Sequence, residues 1–386
     1  MPNNTNISKV LPILFTFLIM GFVDVVGISA NYVKQDFQLT DKIANILPFM
    51  VFLWFAVFSI PTSILMNKIG RKATVLISLA ITIVALFCPL IAYNYPMMLL
   101  SFALLGIGNS IVQVSLNPLL AGVVSGKNLS STLTLGQFIK AIASFLGPIV
   151  AIKAVSIWGD WKYIFPVFGA TTILAGIWIL LTPVKKETTQ VATSTFGDCF
   201  GLLSDKAILV LFLGILLLVG VDVGLNISIP RILMEKCNLP LDEAAKGNSV
   251  YFAARTIGSL AGSFLLSKLS ERKFLGMTML AAVATLLLFL FVHDLKVLQV
   301  LIFILGLCIA NVFSIIFSAA IKTEPTKANE ISGLMIMGVA GGAILPLISG
   351  YAADVFNTQN GAIFVILVGV LYLLFCSVKI KSEPVK

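Results

Sequence analysis

The sequence predicts an all-α membrane protein whose twelve transmembrane helices form two pseudo-symmetric six-helix bundles. Three observations lead there. Of 386 residues, 59% are hydrophobic and 11% charged, with a mean hydropathy of +1.04; soluble domains carry about 25% charged residues, so water is not the main solvent. Twelve apolar runs reach the roughly 20 residues that cross a hydrocarbon core of about 30 Å. They fall at 9–34, 43–66, 73–93, 95–123, 129–155, 162–182, 207–234, 247–267, 274–292, 296–320, 328–352 and 358–379. Finally, the second half echoes the first: Val23-Asp24-Val25 recurs as Val221-Asp222-Val223, and the same offset of 198 carries Gln113 onto Asn311 and Pro148 onto Pro346. The echo divides the chain into a bundle over 1–182, a cytoplasmic linker over 183–206 and a bundle over 207–386.

The chain opens MPNNTNISKV, and its first apolar run holds Asp24 and continues past any plausible cleavage point, so it reads as span 1 and not as a removed leader. In GFVDVVG, residues 21–27, a carboxylate at that depth faces the bundle interior or a wet cavity and marks a solute or ion path. The alternative is a packing carboxylate paired to a neighbouring base. Pro48 and Pro61 bracket much of span 2 and are expected to bend it. NKIGRK at 67–72 is a tight basic turn that suits anionic lipid headgroups or a neighbouring helix end. IAYNYPMM, after span 3, puts tyrosines at the membrane interface.

Spans 4 and 5 carry the densest polar set. GIGNSIVQVSLNP, residues 106–118, has Gly106 and Gly108 for close helix approach and sets Gln113 and Asn117 four apart on one face. TLGQFIKAIASFLGP, residues 134–148, sets Gln137 and Lys140 three apart, and Gly147-Pro148 is expected to end or kink the helix. An ammonium in hydrocarbon costs about 2.5–3.5 kcal/mol or more, so Lys140 needs an anion, a carbonyl or a water-filled cavity. A fixed pair with Asp24 is the structural alternative to a binding role. Gln113 is a recognition residue or an interhelical hydrogen bond; an amide cannot carry a proton through a cycle at neutral pH.

The stretch 183–206 has the Ser/Thr content and mixed charge of a linker. Span 7 reads GVDVGLNISIPRIL, with Asp222 and Asn226 four apart and Pro230 placed to break the helix near its outer end. Span 8 holds Arg255 among small residues; it pairs with Asp222 or binds an anionic or hydroxyl-rich solute. Span 10 offers Asn311, Ser314 and Ser318. Span 11 offers Gly333, Gly338, Gly341 and Gly342 before Pro346, a run that favours close packing and local bending. SKLSERK at 267–273 is the counterpart of the basic turn after span 2. The four embedded ionisable residues divide into one acid and one base per half, which predicts Asp24 with Lys140 and Asp222 with Arg255.

With both termini on one side, the short loops there carry 16 basic residues against 8 opposite, and the positive-inside rule makes that side cytoplasmic. The net charge of +9 is then a matter of topology, and no dense basic face points to nucleic acid. The cysteines at 88, 199, 237, 308 and 376 are scattered and form no metal quartet or disulfide framework. His293 is the only histidine, no nucleophile has a base and orienting partner, and no phosphate cradle is present. No cofactor, metal or enzymatic activity is expected.

These segments together resemble the major facilitator superfamily, and within it the fucose:proton symporter family. LMNKIGRK at 65–72 is similar to the superfamily's loop motif, with Asn67 where that motif has an acid. GIGNSIVQVSLNP, TLGQFIKAIASFLGP, the opening GFVDVVGISANYVKQDFQLT and SGLMIMGVAGGAILPLISGYAAD at 332–354 carry the closer likeness. The resemblance implies alternating access, a small sugar as solute and a coupling proton, in a functional monomer of the bacterial inner membrane with both termini cytoplasmic. Family members place a proton-coupling glutamate where this chain has Gln113; Gln137 and Asn117 match the family pattern. Asp24 or Asp222 is then the proton candidate. The amides Gln113, Asn117, Gln137, Asn226 and Asn311 would meet hydroxyls, with Lys140 and Arg255 beside them. An organic anion or sugar acid facing the two cations is the alternative solute. An uncoupled facilitator and a membrane solute sensor are the other readings.

Overall fold

The computed structural model describes residues 7–25, 29, 32–33, 35–39, 43, 46–124, 128–184, 195–244 and 246–380. The basic residues at 34, 42, 127, 185, 186, 381 and 386, used above to orient the chain, lie outside them, as does the side chain of Asp24. Among the described residues all regular structure is helical. Ten helices are long and apolar enough to cross a membrane. The shorter Ile7–Gly21 and the more polar Lys246–Leu265 complete the twelve spans.

Side-chain caps mark where several spans begin. The Asn94 side chain accepts from Met97 N at the start of span 4 (Tyr95–Val123), and Asp205 accepts from Ala207 N and Ile208 N at the start of span 7 (Lys206–Cys237). Ser270 and Asp294 do the same for spans 9 (Glu271–Phe291) and 10. Each cap satisfies amide protons that helix geometry leaves without a carbonyl.

Three spans continue as helix through their prolines. Span 2 (Ile46–Ile69) runs through Pro61, span 5 (Asn128–Trp158) runs through Gly147-Pro148, and span 7 runs through Pro230. A proline forfeits one backbone hydrogen bond. Leaving the helix in hydrocarbon would expose many more, so the helix continues. True breaks occur elsewhere. Span 10 is interrupted at Ala310-Asn311, between Leu295–Ile309 and Val312–Thr323, and span 11 at the 3-10 turn Gly338–Ala340, between Ala328–Met337 and Gly341–Phe356.

The chain forms two compact units. The first comprises Met1–Ser125, Gly136–Gly201 and Thr326–Met337, and the second comprises Gly126–Leu135, Leu202–Pro325 and Gly338–Lys386. One short segment from each sequence half thus belongs with the other half, and the two segments begin 200 residues apart, close to the offset of the sequence echo.

In the first unit, Gly106 and Gly108 let span 4 press against its neighbours: a Cβ at Gly106 would lie 2.5 Å from Val51 O, and one at Gly108 2.5 Å from Thr82 Oγ1. The first piece of span 11 docks on spans 2 and 4. Ser332 Oγ donates to Val114 O at 2.6 Å, Asn329 Nδ2 to Asn67 Oδ1 at 2.6 Å, Arg71 Nε to Asn329 Oδ1 at 2.7 Å, and Asn67 Nδ2 to Glu330 Oε1. Where the loop motif has an amide at Asn67, a carboxylate therefore arrives from span 11. Lys72 Nζ donates to Leu180 O at 2.9 Å and Thr182 O at 2.8 Å, so this lysine caps the end of span 6 (Ile164–Leu181). In the second unit Lys322 pairs with Glu271 at 3.0 Å, and Ser131 Oγ donates to Ser263 O.

Candidate functional site

The first unit holds a ladder of amides on one face of span 4. Asn109, Gln113 and Asn117 recur at four-residue spacing, which stacks their side chains. Asn109 Nδ2 donates to Met20 O of span 1 at 2.9 Å, Gln113 Nε2 to Asn109 Oδ1 at 2.6 Å, and Asn117 Nδ2 to the Gln113 carbonyl at 2.8 Å. All three are buried, Asn117 completely. Asn117 Oδ1 nevertheless has no hydrogen-bond partner among the described residues. An acceptor left unpaired in a dry interior costs about 1–3 kcal/mol. Every member of the ladder is neutral.

Span 5 adds Gln137 and Lys140 to this unit, both half-buried. Among the described residues no carboxylate pairs with Lys140; its carbonyl accepts from Ser144 Oγ at 3.0 Å. Asp24 belongs to the 3-10 turn Phe22–Val25 that follows Ile7–Gly21.

The second unit is built on charge. Arg255 Nη1 donates to Asp222 Oδ2 at 2.6 Å, and Tyr251 OH donates to Asp222 Oδ1 at 2.7 Å. Tyr251 is fully buried, while the side chains of Asp222 and Arg255 keep 24% and 31% of their surface exposed. The local cause is helical spacing: Tyr251 and Arg255 sit four apart on span 8 and face the middle of span 7. Asn226, one turn beyond Asp222, is half-buried. Of the two acid–base pairs anticipated from charge balance, the structure brings together Asp222 and Arg255.

Asn311, the echo of Gln113, is used differently. It sits at the break in span 10, 2% exposed, and its Nδ2 donates to Gly258 O of span 8 at 3.0 Å. Its Oδ1 rests against Gly262, where a Cβ would lie only 2.1 Å away. Glycine is required there, and the amide joins two helices.

Sequence reasoning passed over Asn109 and Tyr251. The four-residue step from Gln113 back to Asn109 was a readable signal. The four-residue step from Arg255 back to Tyr251 was the other, masked because an aromatic in an apolar run reads as packing.

Buried amides and an ion pair set within membrane-crossing helices are the arrangement of a membrane transporter. The chain belongs to the Major Facilitator Superfamily, whose family profile matches residues 13–247 and 211–386. It is similar to a glucose/galactose transporter of Brucella abortus biovar 1, 26% identical over 359 residues that cover 88% of this chain and 86% of that protein. A putative glucose/galactose transporter of Helicobacter pylori is 25% identical over 390 residues, 94% of each chain. Among solved structures, a variant of the E. coli fucose:proton symporter, FucP, shares the fold with a TM-score of 0.85 at 16% identity, covering 97% of this chain and 98% of that one. A bacterial homologue of the iron transporter ferroportin gives 0.74 at 13% identity, over 98% of each chain.

Proposed function

We propose that this chain is a secondary transporter of a small neutral sugar, working by alternating access as a monomer in the bacterial inner membrane, with both termini cytoplasmic. The observation that carries the reading is similarity along 88–94% of the chain to proteins named as glucose/galactose transporters. The two sequence halves, 1–182 and 207–386 with a linker between, are proposed to be the rocking bundles. Gln113, Gln137 and Lys140 in the first half, and Asn226 and Arg255 in the second, are the candidate solute-binding residues. Asn117 and Asn311, both buried, would hold the helix geometry behind these contacts. A site of paired donors and acceptors rejects a solute that lacks the matching hydroxyl.

Coupling to protons is part of this proposal, and Gln113 removes one common carrier. Asp24 is the favoured carrier, because Asp222 already holds two donors and protonation there would cost the bond to Arg255. Uptake and counterflow by purified protein in lipid vesicles, with pH and voltage imposed separately, test the reading. Exchange of glucose or galactose is expected, with accumulation driven by an inward proton gradient. Absence of exchange for every neutral sugar defeats it, and exchange without gradient-driven accumulation leaves an uncoupled facilitator.

A second reading, an organic anion or sugar acid as solute, has its own support. Lys140 has no ion-pair partner among the described residues, and residues similar to monocarboxylate transporter 2 of Meriones unguiculatus, 29% identical, span 42% of the chain. The same vesicles distinguish it by exchange of lactate or glucuronate in preference to glucose.

A further inference from the structure

We propose that Asp222 and Arg255, held in place by Tyr251, read a pair of adjacent hydroxyls on the solute and favour a neutral monosaccharide over its acid. This rests on the sugar-transport reading and adds to it a positioning residue and a rule for which sugars pass.

A carboxylate only accepts hydrogen bonds and a guanidinium only donates them, whereas each hydroxyl does both. Two hydroxyls on neighbouring carbons therefore match the pair: one donates to Asp222 while the other accepts from Arg255. Bonds to charged partners are stronger than neutral ones, and the middle of two membrane helices is where water competes least. Asp222 lies well inside span 7, and Arg255 halfway along span 8.

Charge decides between a sugar and its acid. The 2.6 Å contact already neutralises Arg255 with Asp222. A carboxylate on the solute would gain the guanidinium only while facing a second carboxylate, a repulsion that a hydroxyl does not meet.

Tyr251 makes the pair selective and not merely sticky. It is fully buried, so it does not touch the solute, yet it donates to Oδ1 while Arg255 donates to Oδ2. Two donors on two different oxygens fix the rotation of the carboxylate. Without the tyrosine hydroxyl, the carboxylate can turn both oxygens onto Arg255 as a bidentate pair. That arrangement closes the side on which a diol is read.

The test uses full-length protein in vesicles, with counterflow of labelled glucose against competing galactose, each monodeoxyglucose and glucuronate, in wild type and Tyr251→Phe. In wild type, loss of a hydroxyl at one ring position and at its neighbour should each weaken competition about tenfold or more, and glucuronate should compete at least tenfold worse than glucose. In Tyr251→Phe, glucose itself should weaken about tenfold, with the two sensitive deoxy analogues unchanged, so that discrimination collapses. A variant that loses rate or yield yet keeps the discrimination makes Tyr251 structural only and overturns the proposal. Glucuronate competing as well as glucose in wild type also overturns it, with no variant needed. If wild type exchanges no neutral sugar, the sugar-transport reading itself falls, a different result from exchange without diol discrimination.

Discussion

The two units solve the same problem, a polar surface inside apolar helices, in opposite ways. In the first, Asn109, Gln113 and Asn117 form a neutral ladder along one helix, and a single oxygen at its end stays unpaired. In the second, Asp222, Arg255 and Tyr251 form an ionised cluster across two helices. The sequence echo relates Asp24 to Asp222 and Gln113 to Asn311, yet Gln113 stays on its own helix face while Asn311 ties span 10 to span 8. A repeat preserves the depth of a polar residue more faithfully than its task. Neutral amides tolerate many hydroxyl patterns, and a fixed ion pair tolerates few.

The comparison breaks most severely at the ion pair. Arg255→Met leaves Asp222 charged and held by Tyr251 alone. Removing one partner of a fully buried pair costs about 3–5 kcal/mol, and the partial exposure here reduces that to ~2 kcal/mol. Uptake should fall at least about a hundredfold, in line with loss of a charged recognition group. The double substitution Asp222→Asn with Arg255→Met should recover thermal stability in detergent but not uptake; recovery of both would make the pair purely structural.

Lys140→Met comes next. It removes the other cation while the helix keeps its shape, and a loss of about tenfold or more in proton-driven accumulation is expected. Asp24→Asn should abolish the pH dependence and retain counterflow. Simultaneous recording of sugar and proton flux checks both, and wild-type proton flux in Asp24→Asn would remove that residue from coupling.

Gln113→Glu sharpens the contrast by placing an acid in the neutral ladder. Gln113 Nε2 donates to Asn109 Oδ1, and a carboxyl can replace that donor only when protonated. Uptake by the variant should therefore be retained at low pH and fall as pH rises, on a slope the wild type lacks. An unchanged profile would place Gln113 outside the site.

The smallest effect on transport is expected at the echo position. Asn311→Ala removes a bond between helices and should lower stability by about 0.6 kcal/mol, the usual size of such bonds in membranes, with the KM for sugar unchanged. Thermal unfolding and uptake kinetics on one preparation decide it, and a raised KM without a stability loss would return Asn311 to the binding surface.

The twelve spans were legible because crossing a membrane fixes length and polarity together, and both can be read along the chain. The breaks were less so. Pro230 looked like a stop, but in hydrocarbon a helix gives up one hydrogen bond sooner than many, while Asn311, with no strong breaking tendency, sits at a real interruption. The site was legible in its charges and illegible in its supports. Asp222 and Arg255 stand out in any apolar run. Tyr251 counts only because its hydroxyl reaches a residue 29 positions away, and that distance in sequence carries no local signal. Glu330 is similar: its place against Asn67, 263 positions earlier, follows from how span 11 is divided.

That division bears on how the protein is made. The first unit draws most of its residues from the stretch ending at Gly201, but its last segment begins at Thr326. At about 5–20 residues per second, a ribosome needs roughly 6–25 s to span that gap. Throughout the interval the nascent first unit lacks the bonds that Asn67, Arg71 and the Val114 carbonyl make with Thr326–Met337. Membrane insertion must therefore tolerate a long-lived intermediate with a polar gap at one end, and a chain stopped after the linker would remain in that state permanently.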